Sequence, residues 1–482
     1  MPATVPVADR PAPSGTGPGS AAVPVAGSGF ALGAALLGFF VITLDALIVS
    51  VALPAIGSDL GGGISGLQWV VDGYTLMLAA LLLSAGSVSD RIGAKRAFGL
   101  GLGLFLVASA ACALAPGLGV LVGARLVQGA GAAVMMPATL ALIREAFPDA
   151  DRRTRALGLW AVGGSVGSAA GPLVGGALAG WDWRWIFFIN LPVGALALGL
   201  LGRAPSSPRR AVPFDVVGQV AAVAALGALT YALIEGGQAG FASVRIVAAL
   251  VLAVASAGVF LVRQARGRAP MMPLDLFRSR PVVAALVAGF ALNVGFYGVT
   301  FLFSLYFQTF RGMSAALTGL LFLPMTLQSV GVSFVSAAAT RRFGARATMV
   351  AGQVVMGAGL LVLCLLPATV PVGVVAVLLM PVSFGGTLAV PAMTGLMLVS
   401  VPAERAGLAS GVLNTFRQVG GAVAVAVYGA LVTGASFTRG MRTGLIAAAV
   451  LLAATAALAA LRARTPRYLK PCPARRRSGC RR

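Results

Sequence analysis

Three ionisable residues stand inside long apolar stretches of the chain: Asp45, Arg125 and Arg417. A charged side chain in the hydrocarbon of a bilayer costs about 2.5 kcal/mol or more, so such residues mark proton paths, ligand sites or paired charges. The chain contains no His, which leaves carboxylic acids as the groups that exchange a proton near neutral pH. These residue types indicate reversible protonation, with a charge that holds two helices together as the alternative.

Asp45 is the acid that we expect to carry the proton. It lies fifteen residues after the start of its apolar segment at Phe30, about 22 Å along a helix that rises 1.5 Å per residue. Asp72 and Glu235 are two further candidates, and our segment boundaries place each of them near an outer helix end, close to water.

Arg417 is the second embedded base, in the segment NTFRQVGG. Its neighbours Asn414 and Gln418 carry amides that are able to accept hydrogen bonds from a guanidinium. We expect both of them to help satisfy Arg417.

The elements that hold these residues are membrane-spanning helices. Of the 482 residues, 58% are hydrophobic and 10% are charged, and the mean hydropathy is +0.94; soluble domains carry about 25% charged residues. About 20 apolar residues cross the hydrocarbon. Fourteen segments meet this length, at residues 30–56, 67–88, 97–115, 118–142, 155–180, 184–202, 214–234, 244–263, 282–309, 315–338, 347–366, 371–400, 407–433 and 443–461. The sequence therefore predicts an all-α polytopic membrane protein.

The net charge of +23 does not indicate nucleic-acid binding, because the basic residues lie in short gaps between apolar segments rather than on a soluble face. With a cytoplasmic N-terminus, 29 Lys and Arg residues fall in cytoplasmic segments, and 5 fall in outer loops: Arg184, Arg245, Arg311, Arg439 and Arg442. Basic residues accumulate on the cytoplasmic side of membrane proteins. The asymmetry supports both the helix count and cytoplasmic termini.

The two ends of the chain lie outside the predicted helices. Residues 1–29 are rich in Pro, Gly, Ala and Ser, which is typical of a disordered leader and unlike a signal peptide. Residues 462–482 form a basic cytoplasmic tail with Cys472 and Cys480. A Cys pair in a chain without His does not resemble a zinc site, so we expect free thiols and no metal.

The chain also resembles itself. DRIGAKR at 90–96 parallels RRFGARA at 341–347 with an offset of 251 residues. Pro137 and Pro148 parallel Pro391 and Pro402 with an offset of 254 residues. These offsets indicate two halves of six helices, at 30–202 and 282–461, separated by two extra helices within 203–281. In duplicated transporters the transport path lies between the halves.

Five segments carry motif-like patterns. GSVSDRIGAKR at 86–96 combines turn-forming glycines with charges that are able to pair across helix ends: Gly86, Asp90, Arg91, Gly93, Lys95 and Arg96. LVGARLVQGAGAA at 121–133 is built around Arg125. In GSVGSAAGPLVGG at 164–176, glycines four residues apart form a groove and a proline favours a kink: Gly167, Gly171, Pro172, Gly175 and Gly176. The others are LDALIVSVALP at 44–54 and DWRWIFFINLPVG at 182–194.

Together these segments resemble the motifs of the major facilitator superfamily, specifically its fourteen-helix drug:proton antiporter branch. The resemblance covers residues 30–461 and implies the major facilitator fold, with two six-helix halves plus two extra helices. It assigns Arg125 to proton coupling and a gating role to the loop at 86–96, and the motif at Gly171–Pro172 is typical of exporters. The chain departs from the family pattern at Ala94, Leu47 and Ser50.

The resemblance implies a proton-coupled antiporter that exports small hydrophobic or amphipathic compounds, such as drugs or antibiotics, across the cell membrane. The expected partners are membrane lipids, protons and a small lipophilic substrate, without nucleic acid, and the protein is expected to be a monomer. No cofactor is implied, since the proton gradient supplies the energy and the Gly clusters lack the Lys-Ser/Thr ending of a phosphate loop. An exporter of an endogenous metabolite, a non-transporting sensor and a membrane enzyme remain the alternatives.

We predict that tags at Met1 and Arg482 are accessible only from the cytoplasmic side, because the distribution of basic residues places both termini there. Protease accessibility in inside-out and right-side-out vesicles measures this. A control tag after Phe241, in a predicted outer loop, should show the opposite accessibility. Exposure of either terminal tag on the outer surface would contradict the fourteen-helix count.

Overall fold

A computed structural model of the protein describes residues 26–462, except 210–213, 268–269, 368, 403–404 and 434–435. This part of the chain contains fourteen helices that are long and apolar enough to cross a membrane, which confirms the predicted number. They are α1 (Ser28–Leu60), α2 (Gly63–Ile92), α3 (Ala94–Ala113), α4 (Leu118–Ala146), α5 (Ala150–Ala179), α6 (Trp185–Arg203), α7 (Val216–Ala239), α8 (Val244–Arg266), α9 (Arg280–Phe310), α10 (Ala315–Phe343), α11 (Ala345–Leu365), α12 (Val372–Val399), α13 (Ala406–Val432) and α14 (Phe437–Arg462).

The predicted leader is wrong at its last two residues. Ser28 and Gly29 belong to α1, since the helix extends beyond the apolar segment that begins at Phe30. The rest of the predicted leader falls almost entirely outside the described residues. So does the predicted tail after Arg462, with Cys472 and Cys480.

Two helices are interrupted and one ends irregularly. The segments within α6 are Trp185–Phe188 and Asn190–Arg203, and those within α12 are Val372–Leu378 and Met380–Val399. The last turn of α9, Tyr306–Phe310, is π-helical. A short 3-10 helix, Leu274–Arg278, precedes α9.

The internal duplication is visible in the backbone. Gly93 joins α2 to α3 and Gly344 joins α10 to α11, both with a φ of 88°. This left-handed region is readily accessible only to glycine. The close approach of Gly101 to Gly131, between α3 and α4, recurs between Gly352 and Gly385 of α11 and α12. The members of these pairs are again 251 and 254 residues apart.

The two halves meet through backbone contacts of α5 with α10 and of α2 with α13. A Cβ atom on Gly176 would lie 2.4 Å from the carbonyl oxygen of Ala315, and one on Gly319 would lie 2.4 Å from that of Pro172. The amide of Gln68 donates to the carbonyl of Ala426, at 2.7 Å. Small residues allow this close approach of helices.

These contacts lie at one end of the bundle, near the C-terminus of α5 and the N-termini of α2 and α10. At the opposite end the same helices expose large apolar side chains. Leu159 of α5 is 52% exposed and Phe334 of α10 is 75% exposed. These backbone contacts and the hydrogen bond of Gln68 thus join the halves at one end of the bundle.

The two extra helices lie beside the seam between α2 and α13. The helix α7 packs against both of them. The amide of Gln219 donates to the carbonyl of Ala80 in α2 at 2.9 Å, and Gly237 lies against Ala430 of α13. The helix α8 packs on α7 and exposes most of its surface. The extra pair thus contacts both halves through one of its helices.

We predict that Gly176→Ala lowers the thermal stability of the detergent-solubilised protein. The added methyl group would overlap the backbone of α10, and overpacking costs about 1–3 kcal/mol. The matched control is Gly158→Ala on the same helix, where a Cβ meets no atom within 4 Å. The control should be neutral or slightly stabilising, because Ala favours helix by up to about 1 kcal/mol. Equal melting temperatures for the two variants would contradict the close contact.

Candidate functional site

The structure brings Asp45 and Arg125 together as a buried ion pair. Both residues are 0% exposed. The Nη1 atom of Arg125 lies 2.5 Å from Oδ2 of Asp45. The helix α1 thus supplies the carboxylate that pairs with the guanidinium of α4.

Three neutral side chains extend the ion pair into a network. Gln128, one turn after Arg125, accepts from its Nη1 atom at 2.8 Å and donates to Oδ1 of Asp45 at 2.9 Å. Asn190 of α6 donates to the same Oδ1 atom at 2.9 Å. Ser109 of α3 accepts from both amides, at 3.2 and 2.9 Å. Asp45 thus accepts three hydrogen bonds, from Arg125, Gln128 and Asn190.

The helix α2 closes the network from the opposite side of the guanidinium. The Nε atom of Arg125 donates to the carbonyl of Val70 at 2.9 Å. The ring of Tyr74 lies 4.4 Å from the guanidinium carbon, a cation–π distance. Its hydroxyl donates to the carbonyl of Ile42 in α1 at 3.2 Å. Five helices of the N-terminal half therefore share one buried polar cluster.

Asp72 is not near water, as predicted, but fully buried. The prediction is wrong because α2 begins at Gly63, several residues before the apolar segment, so that Asp72 lies deeper in the helix. Its Oδ1 atom accepts from Thr75 at 3.3 Å. Its Oδ2 atom has no hydrogen-bond partner among the described residues. Asp72 is thus a buried acid without a cation beside it.

Asp72 lies one helical turn from Gln68, and residues four apart share one face of a helix. Gln68 contacts the carbonyls of Val425 and Ala426 in α13. Asp72 therefore faces the seam at which α2 of one half meets α13 of the other.

Glu235 of α7 is half-buried. Its Oε1 atom accepts from the indole of Trp69 in α2 at 2.9 Å, and the rings of Trp69 and Tyr231 are 6.4 Å apart. Glu235 thus joins an extra helix to the N-terminal half. Within the described part of the chain, neither Glu235 nor Asp72 forms an ion pair with Arg125.

Arg417 of α13 is half-buried, and its Nη1 atom donates to Oδ1 of Asn414 at 3.2 Å. The prediction for Gln418 is wrong, because its Oε1 atom finds no partner among the described residues. Gln418 is adjacent to Arg417 in sequence, and adjacent residues of a helix do not face each other.

The loop motif at 86–96 ties helix ends together. Asp90 lies 3.8 Å from Arg144, the residue near the end of α4. The ammonium of Lys95 donates to the last carbonyls of α6, those of Gly202 and Ala204, where a cation is favoured. Arg91 and Arg96 are exposed, Gly86 is half-buried, and Gly93 forms the turn.

The glycine motif of α5 presses this helix against the helix that carries Asp45. A Cβ atom on Gly167, Gly171 or Gly175 would lie 2.4 to 2.9 Å from atoms of α1. Gly176 faces α10 of the other half instead, and Pro172 lies within α5 at the same level. The predicted groove is present, and it places α5 between the buried network and the other half.

Sequence reasoning missed Gln128, Asn190, Ser109 and Trp69. Gln128 had a usable signal, because it follows Arg125 by three residues and so shares its helix face. Asn190 lies within the quoted segment 182–194, but nothing in its spacing relates it to Asp45. The remaining partners come from helices that are distant in sequence, and only the packing brings them together.

Comparisons with known proteins agree with this architecture. The model of the Major Facilitator Superfamily matches residues 35–425. The methylenomycin A resistance protein of Streptomyces coelicolor is 38% identical over 404 residues, covering 83% of this chain and 85% of that protein. The multidrug resistance protein Stp of Mycobacterium tuberculosis is 39% identical over 398 residues, covering 82% and 74%. The tetracenomycin C resistance and export protein of Streptomyces glaucescens is 34% identical over 405 residues, covering 83% and 74%.

Solved structures share the fold. A POT family transporter in complex with a thioalcohol-conjugated peptide superimposes with a TM-score of 0.68 at 15% identity, covering 91% of this chain and 97% of that one. A D-xylose-proton symporter superimposes with a TM-score of 0.62 at 14% identity, covering 88% and 97%. At such identities the likeness concerns the fold alone.

We predict that Asp45→Asn and Arg125→Gln each lower the melting temperature of the solubilised protein. Removing one partner of a buried ion pair leaves an uncompensated charge, at a cost of about 3–5 kcal/mol. The double variant should recover part of this loss, since neither charge then remains. Melting temperatures of the four proteins measure the coupling, and strictly additive losses would contradict a direct pair.

Proposed function

The chain belongs to the major facilitator superfamily, and we propose that it is a proton-coupled antiporter that exports small hydrophobic or amphipathic compounds across the cell membrane. The relatives of this transporter are named for multidrug resistance and antibiotic export. Its function is therefore drug efflux. The family consists of transporters rather than enzymes. The finer proposal adds the proton as the exchanged ion.

Two buried carboxylic acids of the N-terminal half carry the proposal of proton coupling. Asp45 has a guanidinium and two amides around it, whereas Asp72 has a single hydroxyl donor. Burying an isolated carboxylate costs far more than burying its protonated form. We infer that Asp72 holds a proton in this conformation.

The position of Asp72 links proton binding and release to the opening of the seam between the two halves. When Asp72 loses its proton, a bare charge lies at the seam between α2 and α13, so opening this seam to water becomes favourable. When Asp72 is protonated again, the seam is able to close. Release of Asp45 from Arg125 would require α1 and α4 to move relative to each other. The helix α5 contacts both α1 and α10, so it would transmit such a movement to the other half.

The orientation is part of the proposal. The distribution of basic residues supports cytoplasmic termini, which puts the end where Gly176 meets Ala315 on the outer side. For export, a site between the halves has to open to the cytoplasm at the opposite end. The protein is expected to act as a monomer, with lipids, protons and a small lipophilic substrate as its partners, because one chain supplies both halves of the path.

We predict that the energy source is the proton gradient. A toxicity panel in a pump-deficient host first selects a compound to which the chain confers resistance. Purified protein in liposomes without ATP should then accumulate this compound when a pH gradient is imposed, and a protonophore should abolish the accumulation. Transport that requires ATP, or a chain that confers resistance without moving the compound, would contradict the proposal.

Matched variants in this assay test the coupling acids. Asp45→Asn and Asp72→Asn should each lose the response to the pH gradient, whereas Asp72→Asn should retain exchange of labelled for unlabelled compound. The exposed acid of α5, Asp151→Asn, should behave like the unaltered protein. A normal gradient response of Asp72→Asn would place the proton elsewhere.

A further inference from the structure

We propose that Arg417 binds an acidic group of the substrate, so that the compounds exported by this protein include amphipathic anions such as carboxylic and sulfonic acids. The proposal rests on the proposed export function and assigns part of its substrate site. Arg417 thereby becomes a specificity-determining residue of the C-terminal half.

The side chain of Arg417 is directed into the C-terminal half rather than towards lipid. A Cβ atom on Gly289 of α9 would lie 3.0 Å from Cγ of Arg417, and 3.2 Å from both Met393 of α12 and Leu413 of α13. The aliphatic part of Arg417 therefore lies at the junction of three helices. The absence of a side chain at Gly289 leaves the space that it fills.

The two embedded arginines differ in how their charge is balanced. Arg125 is completely buried and has a carboxylate, an amide and a carbonyl as partners. Arg417 has one bond to the neutral Asn414, and its Nε atom has no partner among the described residues. In the same part of the structure, no carboxylate forms an ion pair with Arg417.

An uncompensated guanidinium among packed helices is costly, and anions bind to such groups through short, charge-assisted hydrogen bonds. Arg417 is half-buried, whereas Arg125 is fully buried. Of these two arginines, Arg417 is therefore the one that a ligand is able to contact. A planar guanidinium with free N–H groups suits the two oxygens of a carboxylate or sulfonate. The missing counter-charge is therefore one that a ligand supplies.

The surroundings of the guanidinium match the apolar part of an amphipathic molecule. Phe416 precedes Arg417, and its ring lies 6.1 Å from that of Phe277, in the short helix before α9. Tyr297 of α9 packs against α13 one turn after Arg417, since a Cβ atom on Gly421 would lie 3.1 Å from its ring. A ligand with its acid on Arg417 would thus have this aromatic ring nearby.

Equilibrium binding to the purified, full-length protein in detergent tests this assignment without any proton gradient, so it is independent of whether transport is proton-driven. The probes are 8-anilinonaphthalene-1-sulfonate and N-phenyl-1-naphthylamine, which share their rings and differ by the sulfonate. Fluorescence titrations compare the unaltered protein with Arg417→Gln, Arg417→Lys and the exposed control Arg439→Gln. The three variants carry their substitutions in the C-terminal half, whereas the coupling acids belong to the N-terminal half.

Arg417→Gln should weaken sulfonate binding at least about tenfold, the range for a lost hydrogen bond to a charged group, and change amine binding less than about twofold. Arg417→Lys should retain part of the sulfonate affinity, because it keeps a charge without the planar geometry. Arg439→Gln should match the unaltered protein. If Arg417→Gln is not recovered folded, the comparison of Arg417→Lys with the unaltered protein decides.

Equal weakening of both probes would show that Arg417 acts through the packing of α9, α12 and α13, and would overturn the proposal. Unchanged sulfonate binding in Arg417→Gln, or no saturable sulfonate binding to the unaltered protein, would overturn it as well. A normal sulfonate preference in a protein that fails to respond to a pH gradient would support Arg417 as the anion site and reject proton coupling.

Discussion

A charge inside an apolar helix bundle has to be neutralised where it stands, and the pair of Asp45 and Arg125 is how the N-terminal half meets this constraint. The pair on its own would leave oxygen lone pairs and N–H groups unsatisfied. Gln128, Asn190 and Ser109 fill these positions, together with the carbonyl of Val70. Because its members come from five helices, the network specifies how those helices pack as well as what they carry.

Among the described residues, only one half of the duplicated chain neutralises its embedded arginine with a carboxylate. The backbone plan is common to both: Gly167 lies against Phe40 of α1 just as Gly420 lies against Phe290 of α9. The charges are not common. The position 254 residues after Arg125 is Leu379, and the position before Arg417 by the 253 residues that separate Gly167 from Gly420 is Gly164. Each half therefore has one embedded arginine, in a different helix and with different partners, so the halves differ in the chemistry of their buried groups within one architecture.

The sequence predicts the fold closely, because the fourteen apolar segments and the basic loops follow from the hydrophobic and electrostatic cost of crossing a bilayer. The repeat adds the division into two halves. The sequence also identifies Asp45 and Arg125, which form the buried ion pair, and the α5 glycines, which contact α1. It does not predict that Asp45 and Arg125 are each other's partners, since they are 80 residues apart and nothing in their spacing indicates it. The burial of Asp72 was missed for a different reason: an apolar segment marks the hydrocarbon crossing, whereas α2 continues past it to Gly63.

The contact of α5 with α10 has a mechanical consequence. Where Gly176 meets Ala315 and Gly319 meets Pro172, main chain touches main chain. At these two points, a rotation of one half over the other does not require a side chain to be withdrawn from a hole in the facing helix. The contact is therefore suited to act as a pivot about which the halves rock.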